Sequence, residues 1–220
     1  MTFSGIPAAA FDFYDRLEAD NSRAFWQANR ATFEEAVKAP MVALCDELTE
    51  FGPFHLFRPY HDVRFAKNRP PYKTHQGAYA ESEGGSGHYL HVGSDGMMVG
   101  VGYYSMAKDQ LERFRAAVDA HATGASVERI VADLVAQGYS IGAMEELKTA
   151  PRGYPRDHPR VALLRRKGLM ASKQYPVSSW MSSAKAVRKV RETWAGAAPL
   201  CEWLDTHVGP STLPPEESRS

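Results

Sequence analysis

Apolar residues recur every three or four positions at both ends of the chain, while the middle carries short β-rich runs. Pro7 can open a first helix, with Ala10, Phe13, Tyr14 and Leu17 as its buried stripe. Asn21 or Ser22 caps a second, which turns Phe25, Trp26, Asn29 and Phe33 toward the core. Pro40 interrupts or restarts that helix, and Met41, Leu44, Cys45 and Leu48 carry the pattern on to Gly52. "GHYLHVG" and "MMVGVGYY" then read as strands joined through Ser94-Asp95-Gly96, a hairpin signal. Helices return at about 106–121 and 126–137, the second expected to be capped by Ser126 and stopped by Gly138. "PRGYPRDHP" is a loop leading into a short helix at 159–167, with a strand expected at 168–177. From about 183, Val187, Val190, Trp194, Ala197, Cys201 and Leu204 form a last helical stripe, kinked or restarted at Pro199. The pattern predicts one α+β domain over residues 1–208. A small antiparallel sheet with a hairpin is flanked by an N-terminal helical layer and later helices. Residues 209–220, polar and proline-rich, are expected to fray.

Composition changes this picture little. A chain of 220 residues can bury a full core, and 44% hydrophobic with 24% charged residues is ordinary for a soluble globular protein. No run approaches the length of a membrane span, and the N-terminus lacks the build of a signal peptide. Cys45 and Cys201 sit at apolar helical positions, as reduced thiols of a cytoplasmic protein would. Charge is more informative. The formal net charge is zero, yet residues 12–50 hold nine acids against four bases, and residues 160–191 hold nine bases and no acid. Such asymmetry can favour an anionic partner locally.

The densest chemistry lies in "RPYHDVRFAKNRPPYKTH", residues 58–75, with five Lys or Arg, one Asp and three aromatics. Read as extended over 57–65, it alternates Phe57, Pro59, His61, Val63 and Phe65 on one face with Arg58, Tyr60, Asp62 and Arg64 on the other. Asp62 can then reach one or both arginines, leaving guanidinium donors for a carboxylate or phosphate. Pro59 confines such a strand to an edge or an irregular course. Pro70-Pro71 stiffens the loop that presents Arg69, Lys73 and His75. The plain alternative is a ladder of structural ion pairs with Lys67, Arg69 and Lys73 merely solvated. In the hairpin, Gly100 and Gly102 bare one face between Met98 and Tyr104, so a core ring or a ligand is expected to approach there. His88 and His91 should point to opposite faces, against a shared metal, while Tyr89 and His91 share one.

Taken in order, "DVRFAKNRPPYKTHQGAYA", "GHYLHVG", "GVGYY" and "PRGYPRDHP" resemble the bacterial family catalogued as domain of unknown function 2461, as does the opening "FDFYDRLEADNSRAFWQANRATFEEAVKAP". The resemblance spans about residues 3–208. It implies no reaction, ligand or cofactor. On matching positions its recurring polar residues are Arg58, Asp62, Arg64, Lys67, Pro71, Tyr72, Lys73 and His75, then Gly153, Asp157 and His158. The chain departs from the pattern at His61, where arginine is more frequent, and at Asn68, where aspartate is usual.

The reading that follows is an anionic small-molecule site built from Arg58, Tyr60, Arg64, Lys67, Tyr72, Lys73 and His91, joined by Arg152 and Tyr154 from the later loop. His75 is the best candidate general base and Asp62 its orienting partner. No P-loop, G-x-S-x-G, His-Glu-x-x-His or paired-cysteine metal motif is present, so neither a cofactor nor a metal is expected and catalysis stays open. A nucleic-acid surface on 160–191 is the weaker reading, since the pI is near neutral and no binding motif is present. A structural or protein-interaction domain without a ligand is the third.

Overall fold

The computed structural model describes residues 2–61, 69–82 and 84–214. The helices are α1 (Ala8–Ala19), α2 (Arg23–Thr32), α3 (Ala39–Asp46), α4 (Lys108–Asp119), α5 (His121–Ala136), α6 (Val161–Leu164), α7 (Lys185–Gly196) and α8 (Ala198–His207). The strands are β1 (His55–Leu56), β2 (His75–Glu81), β3 (Gly87–Gly93), β4 (Gly96–Tyr103), β5 (Ser140–Gly142) and β6 (Leu169–Tyr175), in the antiparallel order β1-β2-β3-β4-β6-β5. The arrangement is α+β, as the pattern predicted. No helix among the described residues is long and apolar enough to cross a membrane. Contacts divide the chain into two compact units: residues 1–81, 88–99 and 174–193, and residues 82–87, 100–173 and 194–220.

In the first unit, Ser22 caps α2 by accepting from the Phe25 N–H, as its position before the apolar stripe indicated. Between α2 and α3 the helix widens into a π turn, Phe33–Lys38, in which the Ala39 N–H reaches back five residues to the Glu34 carbonyl. Pro40 explains it: with no N–H and a ring that crowds the preceding turn, proline relaxes the regular ladder just before it. The core here joins Phe13, Tyr14, Leu17, Phe33, Val37, Met41 and Leu44 with Ala78, Leu90, Val92 and Met97 of the strands, all buried. The hairpin falls where the turn signal lay, and Gly96 has φ 115° with the Tyr175 carbonyl against the place a Cβ would occupy.

The second unit buries Phe114, Val118, Val127, Leu134, Leu164, Leu169, Trp203 and Leu204. Three expectations meet added detail here. The helix assigned to 126–137 begins at His121, so Ser126 is interior. The corner before it is held from outside, because Arg160 donates from Nε to the Val118 carbonyl at 2.6 Å and from Nη2 to the Asp119 carbonyl at 2.8 Å. A core ring does reach this strand, since the Trp194 indole N–H donates to the Gly100 carbonyl at 3.0 Å, but the bared face of Gly100 and Gly102 is taken by a strand. They make room for β6, with Met170 and Ser172 against Gly100 and the Leu169 carbonyl against Gly102 (φ 127°). The tail, expected to fray from Gly209, is pinned through Thr212: Ser211 and Thr212 donate to the Asp109 carboxylate at the start of α4, and Gln110 and Arg113 donate to the Gly209 and Pro210 carbonyls.

Candidate functional site

The site lies in the first unit, where the chain leaves β1 and returns into β2. Leu56 pairs with Ala78 and, further along, Tyr60 bridges to Tyr72, so three residues (57–59) face five (73–77). The His61 and Lys73 N–H groups donate to the Pro71 and Pro59 carbonyls at 2.9 and 2.8 Å. These rungs use only the proline carbonyls, so the missing N–H groups of Pro59 and Pro71 cost no pairing. The uneven stretch leaves the Phe57 carbonyl without a backbone donor from 76. The buried Gln76 carboxamide supplies one, donating to the Phe57 and Gly77 carbonyls at 2.8 and 3.0 Å.

On the other side of Tyr72, Asn21 acts as a one-residue strand: its Nδ2 donates to the Tyr72 carbonyl and its Oδ1 accepts from the Tyr72 N–H, each at 3.0 Å. We expect Asn21→Ala to destabilise the protein by about 1–3 kcal/mol in chemical denaturation, because it orphans two backbone groups at a buried residue. Asn21→Asp, which keeps the acceptor alone, should fall between the two. A loss under about 0.5 kcal/mol would show that the clamp contributes nothing.

β2 alternates strictly. Gln76, Ala78 and Ala80 are buried against the core, and His75, Gly77 and Tyr79 take the opposite face. In β3, Tyr89 and His91 share a face and His88 takes the other, where it packs on Phe51 at 4.9 Å. The His75 and His91 rings meet at 4.5 Å, and the Tyr89 hydroxyl shares a 3.0 Å hydrogen bond with His91 Nδ1. Gly77 lets Phe57 and Tyr89 approach over its missing side chain, their centroids 6.2 Å apart. Lys73 Nζ sits 5.2 Å from the Phe57 ring centre.

The electrostatics of this patch are one-sided. Burial, then Arg58, lowers the Lys73 pKa. Burial, then Arg69 and Lys73, lowers that of His61. Burial, then Lys73 and His61, lowers that of His75 against a weaker opposing pull from Asp95. His91 is driven down to about 4, chiefly by burial and secondly by His75. Among the described residues Arg58, Arg69 and Lys73 make no ion pair.

Of the residues singled out from sequence, Arg58, Tyr60, Lys73, His75 and His91 fall within this stretch of the first unit. Tyr72 does too, but its ring is not offered to a ligand: it is 8% exposed and stacked on Trp26 at 4.3 Å and 6°. An aromatic helix face met the strand there, and ring stacking used the surface a ligand would need. Asp62, Arg64 and Lys67 lie outside the described residues. The extended reading of 57–65 holds in the described part only as β1, the irregular 57–59 and the Tyr60 bridge. Arg152 and Tyr154 belong to the second unit, where Arg152 is exposed and Tyr154 lies 6.4 Å from His158. His158 is structural: Nδ1 accepts from the Arg160 N–H and Nε2 lies 3.0 Å from an Asp119 carboxylate oxygen. Its loop braces the α4–α5 corner through Arg160.

Sequence reasoning did not include Phe57 and His61 in the site, whereas it drew Arg69 and Tyr89 toward it without counting them among the binding residues. Tyr89 was within reach, since it alternates onto the His91 face; Phe57 was not, because its contact depends on the uneven pairing. The basic stretch 160–191 disperses into local pairs: Arg165 with Glu146, Lys167 with Glu145, Arg188 with Glu192, Arg191 with Glu50, and Lys173 over the Tyr139 ring.

No curated protein and no solved structure matches the chain. The family model described as "Conserved hypothetical protein (DUF2461)" matches residues 9–203, most of the chain, and the protein belongs to that family.

Proposed function

We propose that the protein binds a small phosphate- or carboxylate-bearing anion at the patch formed by Arg58, His61, Arg69, Lys73, His75 and His91. The observation that carries this reading is the gathering of Arg58, Arg69 and Lys73, without ion pairs among the described residues, around His61, His75 and His91, whose protonation burial first and neighbouring cations second depress. An anion relieves that repulsion, and stiff proline-flanked backbone reduces the ordering cost of binding it. Binding, not catalysis, is the function supported. Burial, then Lys73, lowers the His75 pKa, which favours its neutral form as a hydrogen-bond partner, and nothing described brings a nucleophile to it. A phosphate-tracking surface on 160–191 would need free bases, and five of the nine there, Arg160, Arg165, Lys167, Arg188 and Arg191, are paired with acids. The two free thiols, Cys45 with its pKa raised to about 12 by burial and by Asp46, suit a cytoplasmic protein.

Thermal unfolding in sulfate, inorganic phosphate and pyrophosphate tests the proposal. A ligand at 100 times its Kd should add about 2.7 kcal/mol. Lys73→Ala should leave ligand-free stability within about 0.5 kcal/mol and reduce the ligand-induced shift. No shift with any anion, or an unchanged shift in the variant, would overturn the proposal.

A further inference from the structure

Beside the cationic patch, still within the first unit, lies an open cleft of about 380 Å³ between the α2–π-turn face and the 56–60 segment. Its walls are aromatic: Trp26 and Phe33 from the helix, Phe57 and Tyr60 from the irregular segment. Tyr60 is 51% exposed and Phe57 43%, unusual for large apolar side chains, and both line the cleft from the irregular 57–60 stretch. Tyr60 meets Trp26 and Tyr72 in T-shaped contacts at 6.2 and 6.1 Å and still leaves half its surface open. The π turn contributes Phe33, Glu34 and Lys38 to the lining, and Glu34 is neutralised locally by Lys38 at 2.8 Å. Arg30 and Arg58, also in the lining, make no ion pair with a described residue.

Two residues join cleft and patch. Arg58 lines the cleft and acts electrostatically on Lys73; Phe57 lines the cleft and lies under the Lys73 ammonium. An apolar, ring-walled space therefore opens onto a cationic end. A plain inorganic ion would fill only the second half.

We infer that the ligand is an aromatic ring joined to a phosphate or carboxylate, with the ring in the cleft between Tyr60 and Phe57 and the acidic group at Arg58 and Lys73. This rests on the anion-binding reading and narrows it. A ring excludes water from exposed aromatic faces and stacks on them, while the acid supplies a counter-charge that no described residue gives Arg58 or Lys73. The volume suits a ligand up to about the size of a mononucleotide.

Calorimetric titration at fixed salt with AMP, phenyl phosphate, ribose 5-phosphate and adenosine tests it. AMP and phenyl phosphate should bind about tenfold or more tightly than ribose 5-phosphate, the range that stacking on one or two rings gives. Adenosine, without the acid, should bind at least tenfold more weakly than AMP. Tyr60→Ala, at an exposed position, should abolish the advantage of AMP over ribose 5-phosphate and leave the latter's affinity unchanged. Lys73→Ala should weaken all three phosphates together. Equal affinities for AMP and ribose 5-phosphate, with both lost in Lys73→Ala, would overturn the ring inference and leave the anion site standing. Adenosine binding as well as AMP would overturn it from the other side. Failure of all four compounds and of inorganic phosphate would remove both.

Discussion

Trp26→Ala is expected to destabilise the protein by about 3–5 kcal/mol, a large share of the 5–15 kcal/mol typical of a folded domain. Trp26 is 7% exposed and is the hub of a ring cluster: Tyr72 stacks on it at 4.3 Å, Phe33 tilts against it at 4.8 Å, and Phe13 and Tyr60 meet it edge-on at 5.9 and 6.2 Å. Removing the indole leaves a cavity lined by rings that cannot collapse inward, since Tyr72 is held by Asn21 on one side and the Tyr60 bridge on the other. Trp26→Phe should lose less than half as much, because it keeps the contacts to Phe13 and Phe33. Urea denaturation followed by circular dichroism measures both. If Trp26→Ala lost less than about 1 kcal/mol, the cluster would not be what fixes the 72–75 segment on the helical layer.

Acidification is the second large effect. His91 has its folded-state pKa driven from the ordinary 6.5 to about 4, so the unfolded chain takes up its proton first as pH falls. The stability linked to neutral His91 is therefore fully present above about pH 6.5 and is lost as pH falls through the window down to about 4. One residue shifted by that amount contributes up to about 3 kcal/mol across the window. His75 and His61, also depressed, add loss of the same sign. Urea midpoints measured from pH 7.5 to 4 should fall steeply below 6.5 in the wild type and less in His91→Gln. An identical profile in the variant would show that His91 carries no buried neutral role. A bound anion should oppose the loss, because it favours the protonated imidazoles.

Much of the fold could be read before its coordinates. Pro7, Ser22, Gly138 and the Ser94-Asp95-Gly96 turn act on neighbours within a few residues, and the structure uses each where the local rule puts it. What escaped depends on distant partners. The start of α5 is held by Arg160, some forty residues on, so Ser126 looked like a cap only in isolation. Gly100 and Gly102 did signal close approach, yet what stands over them is β6, side chains at Gly100 and backbone at Gly102, which no local pattern names.

The candidate site divides the same way. Its charge density stood out in the sequence, and the alternation of β3 separated His91 from His88 without coordinates. That Tyr72 would be taken by Trp26, that Phe57 would lie beneath Lys73, and that His158 would brace a helix corner all follow from tertiary contacts. Asp62, Arg64 and Lys67, the remaining polar members of that reading, lie outside the described residues.

The most direct test of the anion site is a residue-resolved NMR titration of the histidine rings with and without pyrophosphate. The account predicts that the pKa values of His75 and His91, both lowered in the free protein, rise on adding the anion. Ring pKa values at His75 and His91 that do not change with saturating pyrophosphate would contradict it.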